Sequence, residues 1–404
     1  MTTQALEFNR MVGAAPAQVY RAWTRAVALR EWLCDTAIAD ARPGGRVYFG
    51  WNSGYWAAGE YTTLEPDQRV AFTWQGKGEP GSTQIEVAMQ AAGDGTAIKL
   101  VHRGLGDGPA WDAMREEAAA GWQGGLENLA SVLETGQDLR FTRRPMLGIL
   151  LDEFNAEIAA RLDVPVTEGT RLSGVVEGMG AQRAGLQKDD VLVSMGGKPT
   201  TNWPELTHAL QGRHAGDVVT VEFYRGGEKL AVEMPLSQRP IPAVPATPPA
   251  LAGAVQALNA TTLTELAACF EGVSEAAARR RPAPGEWSGL DVLAHFVASE
   301  RETQTWITDL LNDDERWSDR FENPTNVPAR IDALVQVYPT AEAMLELLRR
   351  SQAETVAMLA DLPPAFVAHK GSYWRLGRDL LTELDEHVQE HAAQIRAAIA
   401  ASTV

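Results

Sequence analysis

Residues 238–251, QRPIPAVPATPPAL, separate two parts of this 404-residue sequence that differ in character. The repeated prolines favour an extended, semi-stiff spacer, because proline lacks the backbone N–H that helices and central strands need. Upstream, glycine-rich turns separate short β-type runs, whereas downstream glycine is rare and Ala, Leu, Glu and Arg dominate. The sequence therefore predicts a linker over 239–252 and an all-α domain over 253–404.

The length of the upstream part indicates more than one domain there. A chain of 404 residues exceeds what one hydrophobic core usually supports, and domains average about 150 residues. A softer boundary lies near 136–143, after a helix-like stretch and before the apolar run MLGILL at 146–151. We therefore expect domains at 1–138 and 141–238 before the linker.

Charge and composition exclude several classes of partner. The formal net charge of −17 repels nucleic-acid backbones and anionic membranes, and the longest basic run is Arg279-Arg280-Arg281. No apolar run approaches the length of a membrane span, and the N-terminus lacks the pattern of a secretory signal. The two cysteines, Cys34 and Cys269, lie in different predicted domains, which suits a reducing compartment. We expect a cytoplasmic protein that binds neither nucleic acid nor membrane.

The first predicted domain has the order helix, strands, helix. A helical pattern covers 16–32, alternating stretches follow at 46–51, 59–64, 69–74, 83–90 and 96–101, and a long helix covers 111–134.

Several segments of this domain resemble the SRPBCC, or START-like, superfamily, in its branch related to activators of the heat-shock ATPase. They are Pro16–Thr24 (PAQVYRAWT), RPGG at 42–45, Thr73-Trp74 and Gly121-Trp122. The resemblance implies an α+β helix-grip fold, in which a curved antiparallel sheet grips the last helix around a cavity for a small apolar molecule. Trp74 and Trp122 are the candidate cavity residues; alternatively, the tryptophans of this domain fill its core.

The second predicted domain resembles a PDZ domain of the bacterial protease-associated type. The resemblance rests on MLGILL at 146–151, GTRLSGVV at 169–176, DVLVSMGG at 190–197 and GDVVTVEFYRGG at 216–227. Asp189 departs from the family, which usually has glycine in that turn.

This resemblance implies a small β-rich fold that binds an extended peptide or protein C-terminal tail by adding it to an edge strand. Backbone N–H groups of the preceding loop would capture the terminal carboxylate, and a facing helix would offer apolar side chains. The candidate peptide-binding residues are Leu147, Gly148, Ile149, Leu151, Leu206 and Leu210. Alternatively, the domain only spaces its neighbours.

The last domain has the pattern of a four-helix bundle, with helical segments at 253–279, 288–312, 340–360 and 377–401. His387 and His391 are four residues apart and share one helical face, so both rings can reach a cation at about 2.0–2.1 Å. Such a pair arises by chance in roughly one sequence of ten with this histidine content. A third histidine on another helix, His295, strengthens the hypothesis of a metal site.

The segment Trp287-Ser288 to His295, with His387, His391 and Gln394-Ile395, resembles the DinB-like and mycothiol-dependent maleylpyruvate isomerase-like superfamily. The resemblance implies that His295, His387 and His391 bind a divalent metal, commonly zinc or nickel, and it makes a low-molecular-weight thiol a candidate cofactor. Alternatively, these are ordinary bundle histidines.

Three neutral imidazoles leave a coordination position open, as in catalytic zinc sites. Asp385 and Glu390 are candidate carboxylates to orient a ligand ring.

Two functions remain open at this point. One is a metal-dependent enzyme, a thiol-dependent transferase or isomerase or a hydrolase, with a small-molecule cavity domain and a peptide-docking domain. The other is a non-catalytic ligand- and peptide-binding adaptor or stress-response protein whose metal is structural. No Gly-x-Ser-x-Gly elbow or phosphate-binding glycine loop is present, and the catalytic residues stay unknown.

Overall fold

The computed structural model describes residues 4–314, 327–382 and 384–401, without the side chains of 384–386. The chain divides into two compact units, one formed by Met1–Gln137 with Pro242–Val404 and the other by Asp138–Ile241. Among the described residues, no helix is long and apolar enough to cross a membrane. The predicted fold class, an α+β domain, a β-rich PDZ-like domain and a helical domain, is confirmed.

The N-terminal domain is a seven-stranded antiparallel sheet in the order β1-β7-β6-β5-β4-β3-β2, with a long helix packed into its core. Its elements are β1 Gln4–Val12, α1 Pro16–Thr24, α2 Ala26–Trp32, β2 Thr36–Ala39, β3 Arg46–Gly50, β4 Trp56–Glu65, β5 Arg69–Gly76, β6 Thr83–Ala92, β7 Gly95–Leu105 and α3 Pro109–Thr135. The sequence missed β1 and β2. It also predicted one helix where extended backbone at Arg25 separates α1 from α2.

A hydrogen-bonded chain of buried side chains crosses this core. The Trp122 indole N–H donates to His102 Nδ1 at 3.2 Å, so His102 carries its proton on Nε2 and donates to Thr83 Oγ1 at 2.8 Å. Thr83 in turn donates to the carbonyl of Trp74 at 3.2 Å. Burial lowers the pKa of His102 to about 4, so the ring is neutral at neutral pH. His102 is therefore a structural residue.

The unit Asp138–Ile241 is built on a six-stranded sheet in the order β13-β12-β10-β9-β8, with β11 paired to β10. Its elements are α4 Leu139–Thr142, β8 Ile149–Asp152, α5 Ala156–Arg161, β9 Thr170–Val175, α6 Gly180–Arg183, β10 Val191–Met195, β11 Lys198–Pro199, α7 Trp203–Ala209, β12 Val218–Arg225 and β13 Glu228–Pro235. β8 is an edge strand, which is where the peptide was predicted to add.

Asp189 fills the turn position where glycine was expected. Its φ of +70° lies in the left-handed region, which asparagine and aspartate tolerate better than most residues. Its carboxylate accepts hydrogen bonds from the guanidinium of Arg171, including one of 2.9 Å from Nε. The ion pair explains how an aspartate is held in this turn.

The C-terminal domain is a bundle of long helices joined by shorter ones. Its elements are α8 Pro248–Ala268, α9 Glu275–Arg279, α10 Gly289–Leu311, α11 Pro328–Val337, α12 Ala341–Ala360, α13 Pro364–Val367, α14 Lys370–Thr382 and α15 Leu384–Ala401. α10 contacts both α12 and α15, and α8 contacts α12.

The helix boundaries differ from the sequence prediction at several places. α8 begins at Pro248, inside the predicted linker, because proline is tolerated in the first turn of a helix, where the N–H has no intrahelical partner. The helix predicted over 253–279 ends at Ala268, and the one predicted over 377–401 is two helices, α14 and α15. α11 was not predicted.

The N-terminal domain and the bundle join through a buried ionic cluster. Arg21 on α1 pairs with Glu31 on α2 at 3.3 Å and with Asp313, just after α10, at 2.6 Å. The hydroxyl of Ser372 on α14 donates to Glu31, which is only 5% exposed. Next to it, a Cβ added at Gly371 would lie 2.5 Å from Glu31 Oε2. The two domains therefore pack as one unit at a junction where even a methyl group lacks room.

Candidate functional site

The start of α10 is fixed by a capping arrangement that places His295. Ser288 accepts a hydrogen bond from the Asp291 N–H at 3.1 Å, and its own N–H donates to the Asp291 carboxylate at 2.8 Å. Arg281 also donates to that carboxylate, from Nε at 2.7 Å and Nη2 at 2.9 Å. His295 follows two turns later and is 2% exposed. The cap therefore sets which side chains of α10 face the bundle interior.

The structure brings the three predicted histidines together. One ligand atom from each of His295, His387 and His391 lies within 4.8 Å of the other two. The ring centroids are 4.9 Å apart for His295 and His391, 5.6 Å for His295 and His387, and 4.4 Å for His387 and His391. The pair on α15 comes from successive turns of one helical face, as its spacing predicts.

This donor set fits a divalent transition metal. Nitrogens bound tetrahedrally at about 2.1 Å lie about 3.4 Å apart, so the rings need to close by about 1 Å. His387 is exposed and has room to turn. Although part of the His387 side chain is exposed, partial desolvation by the surrounding helices and the neighbouring His391 lower the pKa of its imidazole, which favours the neutral form that binds metals.

An amide, rather than a carboxylate, orients one of the rings. His391 Nδ1 lies 2.8 Å from Gln394 Oε1, and donation from Nδ1 leaves Nε2 as the ligand atom. Of the two carboxylates considered from the sequence, Glu390 is exposed, and the side chain of Asp385 lies outside the described residues. The (i, i+3) spacing of His391 and Gln394 was the signal that could have identified this partner.

A cavity of about 610 Å³ opens beside the histidines, and His295 and His387 form part of its wall. Phe296, Trp306 and Leu348 are among the apolar side chains of the wall, which also contains many polar ones. A volume of this size accommodates a small-molecule ligand. The sequence analysis did not find this cavity.

Thr355 and Glu300 in the cavity wall form a hydrogen-bonded group with Gln304, which is not itself a lining residue. Gln304 Nε2 donates to Thr355 Oγ1 at 3.2 Å, and Thr355 donates its hydroxyl proton to Glu300. Gln352, one turn before Thr355 on α12, is 5% exposed, and its Oε1 has no hydrogen-bond partner among the described residues. Polar residues at 352 and 355, on the same buried face of α12 as Leu348, were the signal in the sequence for this group.

The other predicted ligand residues lie in the core of the N-terminal domain. Trp74 and Trp122 are 7% and 5% exposed, and their rings pack edge to face with centroids 5.6 Å apart. The Trp74 indole N–H donates to Glu79 at 3.1 Å, and Trp122 donates to His102. Their part in ligand binding stays a prediction.

The predicted peptide-binding residues lie at one edge of the second unit. Leu147 is buried in its core, and Gly148 has a φ of +76° that favours glycine in the loop before β8. In β8, Ile149 is half-buried, whereas Leu151 is 41% exposed. On α7, Leu206 is buried in the core, and Leu210, at the end of the helix, is half-buried. Their part in peptide binding stays a prediction.

The remaining histidines belong to other parts of the fold. His208 and His214 are exposed in the second unit, and His369 lies just before α14 near the ionic cluster around Arg21.

Family models match three consecutive segments of the chain. They are the Activator of Hsp90 ATPase homolog 1-like protein at 13–134, the PDZ domain at 145–236 and the DinB superfamily at 257–395. The chain therefore contains these three domains in this order, and the resemblances drawn from the sequence are confirmed.

Curated relatives match only part of the chain. The periplasmic pH-dependent serine endoprotease DegQ of Escherichia coli is 33% identical over 94 residues, which are 23% of this chain and 21% of that protein. The periplasmic serine endoprotease DegP of the same species is 31% identical over 114 residues, 28% of this chain and 23% of that protein. The chain thus spans about a fifth of the length of these relatives.

Solved structures are similar to a third of the chain. The Aha1 dimer from Colwellia psychrerythraea is 20% identical, covering 32% of this chain and 96% of that chain with a TM-score of 0.29. CalU16 from Micromonospora echinospora is 24% identical, covering 32% of this chain and 74% of that chain with a TM-score of 0.28.

Proposed function

We propose that the bundle is a metal-dependent enzyme of the DinB-like type, with His295, His387 and His391 as the metal ligands. The observation that supports this proposal is that two of the three histidines also line the cavity of about 610 Å³. A metal held there faces a space large enough for a substrate, which a purely structural site does not need.

The residues around the site have distinct roles in this proposal. His295 is fixed by its place on α10 and its burial, and Gln394 holds the ring of His391. Phe296, Trp306 and Leu348 form an apolar part of the cavity wall, and low polarity there strengthens electrostatic interactions nearby. A bound zinc or nickel ion would act as a Lewis acid toward a water or a low-molecular-weight thiol. The reaction is then a thiol-dependent transfer or isomerisation, or a hydrolysis.

Cobalt substitution tests whether a coordination position is open. Purified protein without a histidine tag is stripped with a chelator and loaded with Co²⁺, and its visible absorption is followed while azide or 2-mercaptoethanol is added. An open position predicts a saturable change in the cobalt spectrum, because the added ligand enters the coordination shell.

A cobalt spectrum that stays unchanged would identify a site filled by protein ligands and would favour the adaptor with a structural metal. Zinc loaded in competition should remove the cobalt signal, which controls for cobalt bound elsewhere. His208→Ala should give the same spectra as the unaltered chain, since His208 is exposed in the other unit.

For the PDZ domain, we propose that the edge strand β8 binds the C-terminal tail of another protein. β8 offers unpaired backbone groups on one side, and Leu150 and Leu151 are 42% and 41% exposed there. A peptide ending in an apolar residue and a carboxylate should bind, and amidation of its C-terminus should weaken the affinity. Equal affinity of the two peptides in a fluorescence polarisation titration would exclude capture of the carboxylate.

We propose that the N-terminal domain binds a small apolar molecule and that the protein is cytoplasmic. START-like domains bind small ligands generally, and here the sheet and α3 enclose an aromatic-rich core. Cys34 and Cys269 are buried thiols, which suits a reducing compartment. Extraction of the purified protein with organic solvent, followed by mass spectrometry, should yield a stoichiometric apolar compound, and cell fractionation should recover the protein with cytoplasmic markers.

A further inference from the structure

The cavity beside the three histidines has an uneven distribution of charge. Its described wall contains two carboxylates, Glu300 and Asp379, and no lysine or arginine. Asp379 is paired with Arg378, whose Nε lies 2.6 Å from Oδ1. Glu300 has no ion-pair partner among the described residues, and burial raises the pKa of its carboxyl group, so a bound cation would favour the charged form of this side chain.

The hydrogen bonds around Glu300 show that its carboxyl group is arranged as an acceptor. The hydroxyl of Thr355 has one proton, which it donates to Glu300, while Gln304 Nε2 donates to the Thr355 oxygen at 3.2 Å. Gln304 also donates to the Ser351 carbonyl at 2.9 Å, which fixes the direction of its amide. Thr355, which accepts from Gln304, therefore places a hydrogen-bond donor on one side of the Glu300 carboxyl group.

A second acceptor lies in the same part of the wall. Gln352 and Thr355 are three residues apart on α12, so their side chains are neighbours, about 5–6 Å apart at Cβ. Gln352 is 5% exposed, and its Oε1 is buried without a hydrogen-bond partner. Burying an acceptor without a hydrogen-bond partner is unfavourable. A ligand that supplies N–H donors would remove this cost.

We propose that this part of the cavity binds the ammonium group of a small, otherwise apolar molecule, through the carboxylate of Glu300 and the carbonyl oxygen of Gln352. The inference rests on the proposed function only in placing the substrate in this cavity. An ammonium group matches the wall because it carries one positive charge and three donors and accepts no hydrogen bond. The apolar body of the molecule packs on Phe296, Trp306 and Leu348.

The position of Glu300 relative to the metal ligands sets the expected length of the substrate. Glu300 follows His295 by five residues on α10, which is a rise of about 7.5 Å along the helix. The ammonium group would therefore bind well away from the reacting end, and Glu300 is a binding residue rather than a catalytic one. The substrate class is an amine whose reacting group is separated from the nitrogen by several carbon atoms.

Three six-carbon probes that differ only in their polar end test the proposal on the full chain. Hexylamine, 1-hexanol and hexanoate are titrated, and affinity is measured by ligand-observed NMR with both metal-stripped and zinc-loaded protein. Hexylamine should bind at least about tenfold more tightly than hexanol, and hexanoate should bind most weakly to the stripped protein. Equal affinity for hexylamine and hexanol would overturn the proposal without any substitution.

Substitutions locate the site. Glu300→Gln should remove the preference for hexylamine over hexanol, because it keeps the shape and the acceptor for Thr355 and removes the charge. Glu302→Gln is the matched control on the same helix, since Glu302 lies outside the cavity wall and pairs with Arg330. A preference that persists in Glu300→Gln, or that Glu302→Gln abolishes equally, would contradict the assignment.

The outcome for the metal is separate. If the protein binds no metal but retains the hexylamine preference in its stripped form, the enzymatic proposal fails and the ammonium site stands. If the cobalt spectra reveal an open site and hexylamine is not preferred, the ammonium site fails alone.

Discussion

The N-terminal domain and the C-terminal bundle each bury a histidine among other polar side chains, but the two groups are completed differently. In the N-terminal domain, Trp122, His102 and Thr83 form a chain that ends on the Trp74 carbonyl, so both ring nitrogens of His102 have partners. In the bundle, the ligand atoms of the three histidines converge beside a cavity, and Gln352 Oε1 has no partner in the described part of the chain.

The difference separates a structural group from a binding site. Burying a polar group without a hydrogen bond costs several times what a satisfied one contributes, so cores that only need stability satisfy their polar groups internally. A group that is left incomplete and faces a cavity is completed by a ligand. We call a polar group closed when all its hydrogen bonds are made within the protein, and open when it lacks a partner and faces the cavity. The comparison predicts that substitutions in a closed group reduce the stability of the fold. Substitutions in the open group should reduce ligand binding and leave stability intact.

The largest expected effect on stability comes from His102, in the closed group of the N-terminal domain, and it appears as a dependence of the free energy of unfolding on pH. The pKa of His102 is about 4 in the folded protein and about 6.5 in an unfolded chain. Between these values the unfolded chain binds more protons, so the stability that His102 contributes is complete above pH 6.5 and is lost as the pH falls toward 4. The loss is about 3 kcal/mol, from about 1.4 kcal/mol for each pH unit.

Urea denaturation of metal-stripped protein between pH 4 and 7 measures this effect. His102→Gln should flatten the pH dependence of the free energy of unfolding by most of that amount, because glutamine can accept from Trp122 and donate to Thr83 without titrating. His208→Gln is the control and should retain the slope. An unchanged slope in His102→Gln would mean that His102 does not remain neutral in the fold.

The next largest effect concerns the closed ionic cluster at the domain junction. Gly371→Ala places a methyl group 2.5 Å from Glu31 Oε2 and 2.7 Å from Val132 Cγ1, so the junction must shift. Overpacking of this kind typically costs about 1–3 kcal/mol. Gly253→Ala on α8 is the matched control, since nothing lies within 4 Å of the added Cβ, and it should stabilise the protein by up to about 1 kcal/mol. Thermal unfolding midpoints that move in the same direction in both variants would argue against a tight junction.

The smallest effect on stability is expected in the open group. Gln352→Leu removes a buried acceptor that lacks a partner, so the free energy of unfolding should stay the same or rise by about 1 kcal/mol. The same variant should weaken hexylamine binding. A clear loss of stability, in the range expected for the closed groups, would show that Gln352 is a structural residue.

The sequence predicted the three histidines because helical spacing and the motif around each residue are local signals. Helical periodicity places His387 and His391 on one face, and the pattern after Trp287 places His295 inside the bundle. The order of the three domains was predictable for the same reason, since each has its own run of turns and apolar segments.

The cavity and the junction could not be predicted in this way. They depend on which helical faces meet: Glu300 and Thr355 touch although 55 residues separate them, and Arg21 and Asp313 pair across 292 residues. No local sequence pattern predicts a pairing between residues so far apart in the sequence. The start of α8 at Pro248 was missed for a different reason, because prolines that mark a linker also favour the first turn of a helix.

The metal content of the purified protein tests the central claim most directly. Protein without a histidine tag is dialysed against a slight excess of zinc, freed of unbound ion and analysed by mass spectrometry for zinc per chain. The account predicts about one zinc ion per chain, an affinity at least about a hundredfold weaker after His391→Ala, and no change after His208→Ala. A His391→Ala protein that keeps its full zinc content would contradict the account and leave the adaptor as the better description.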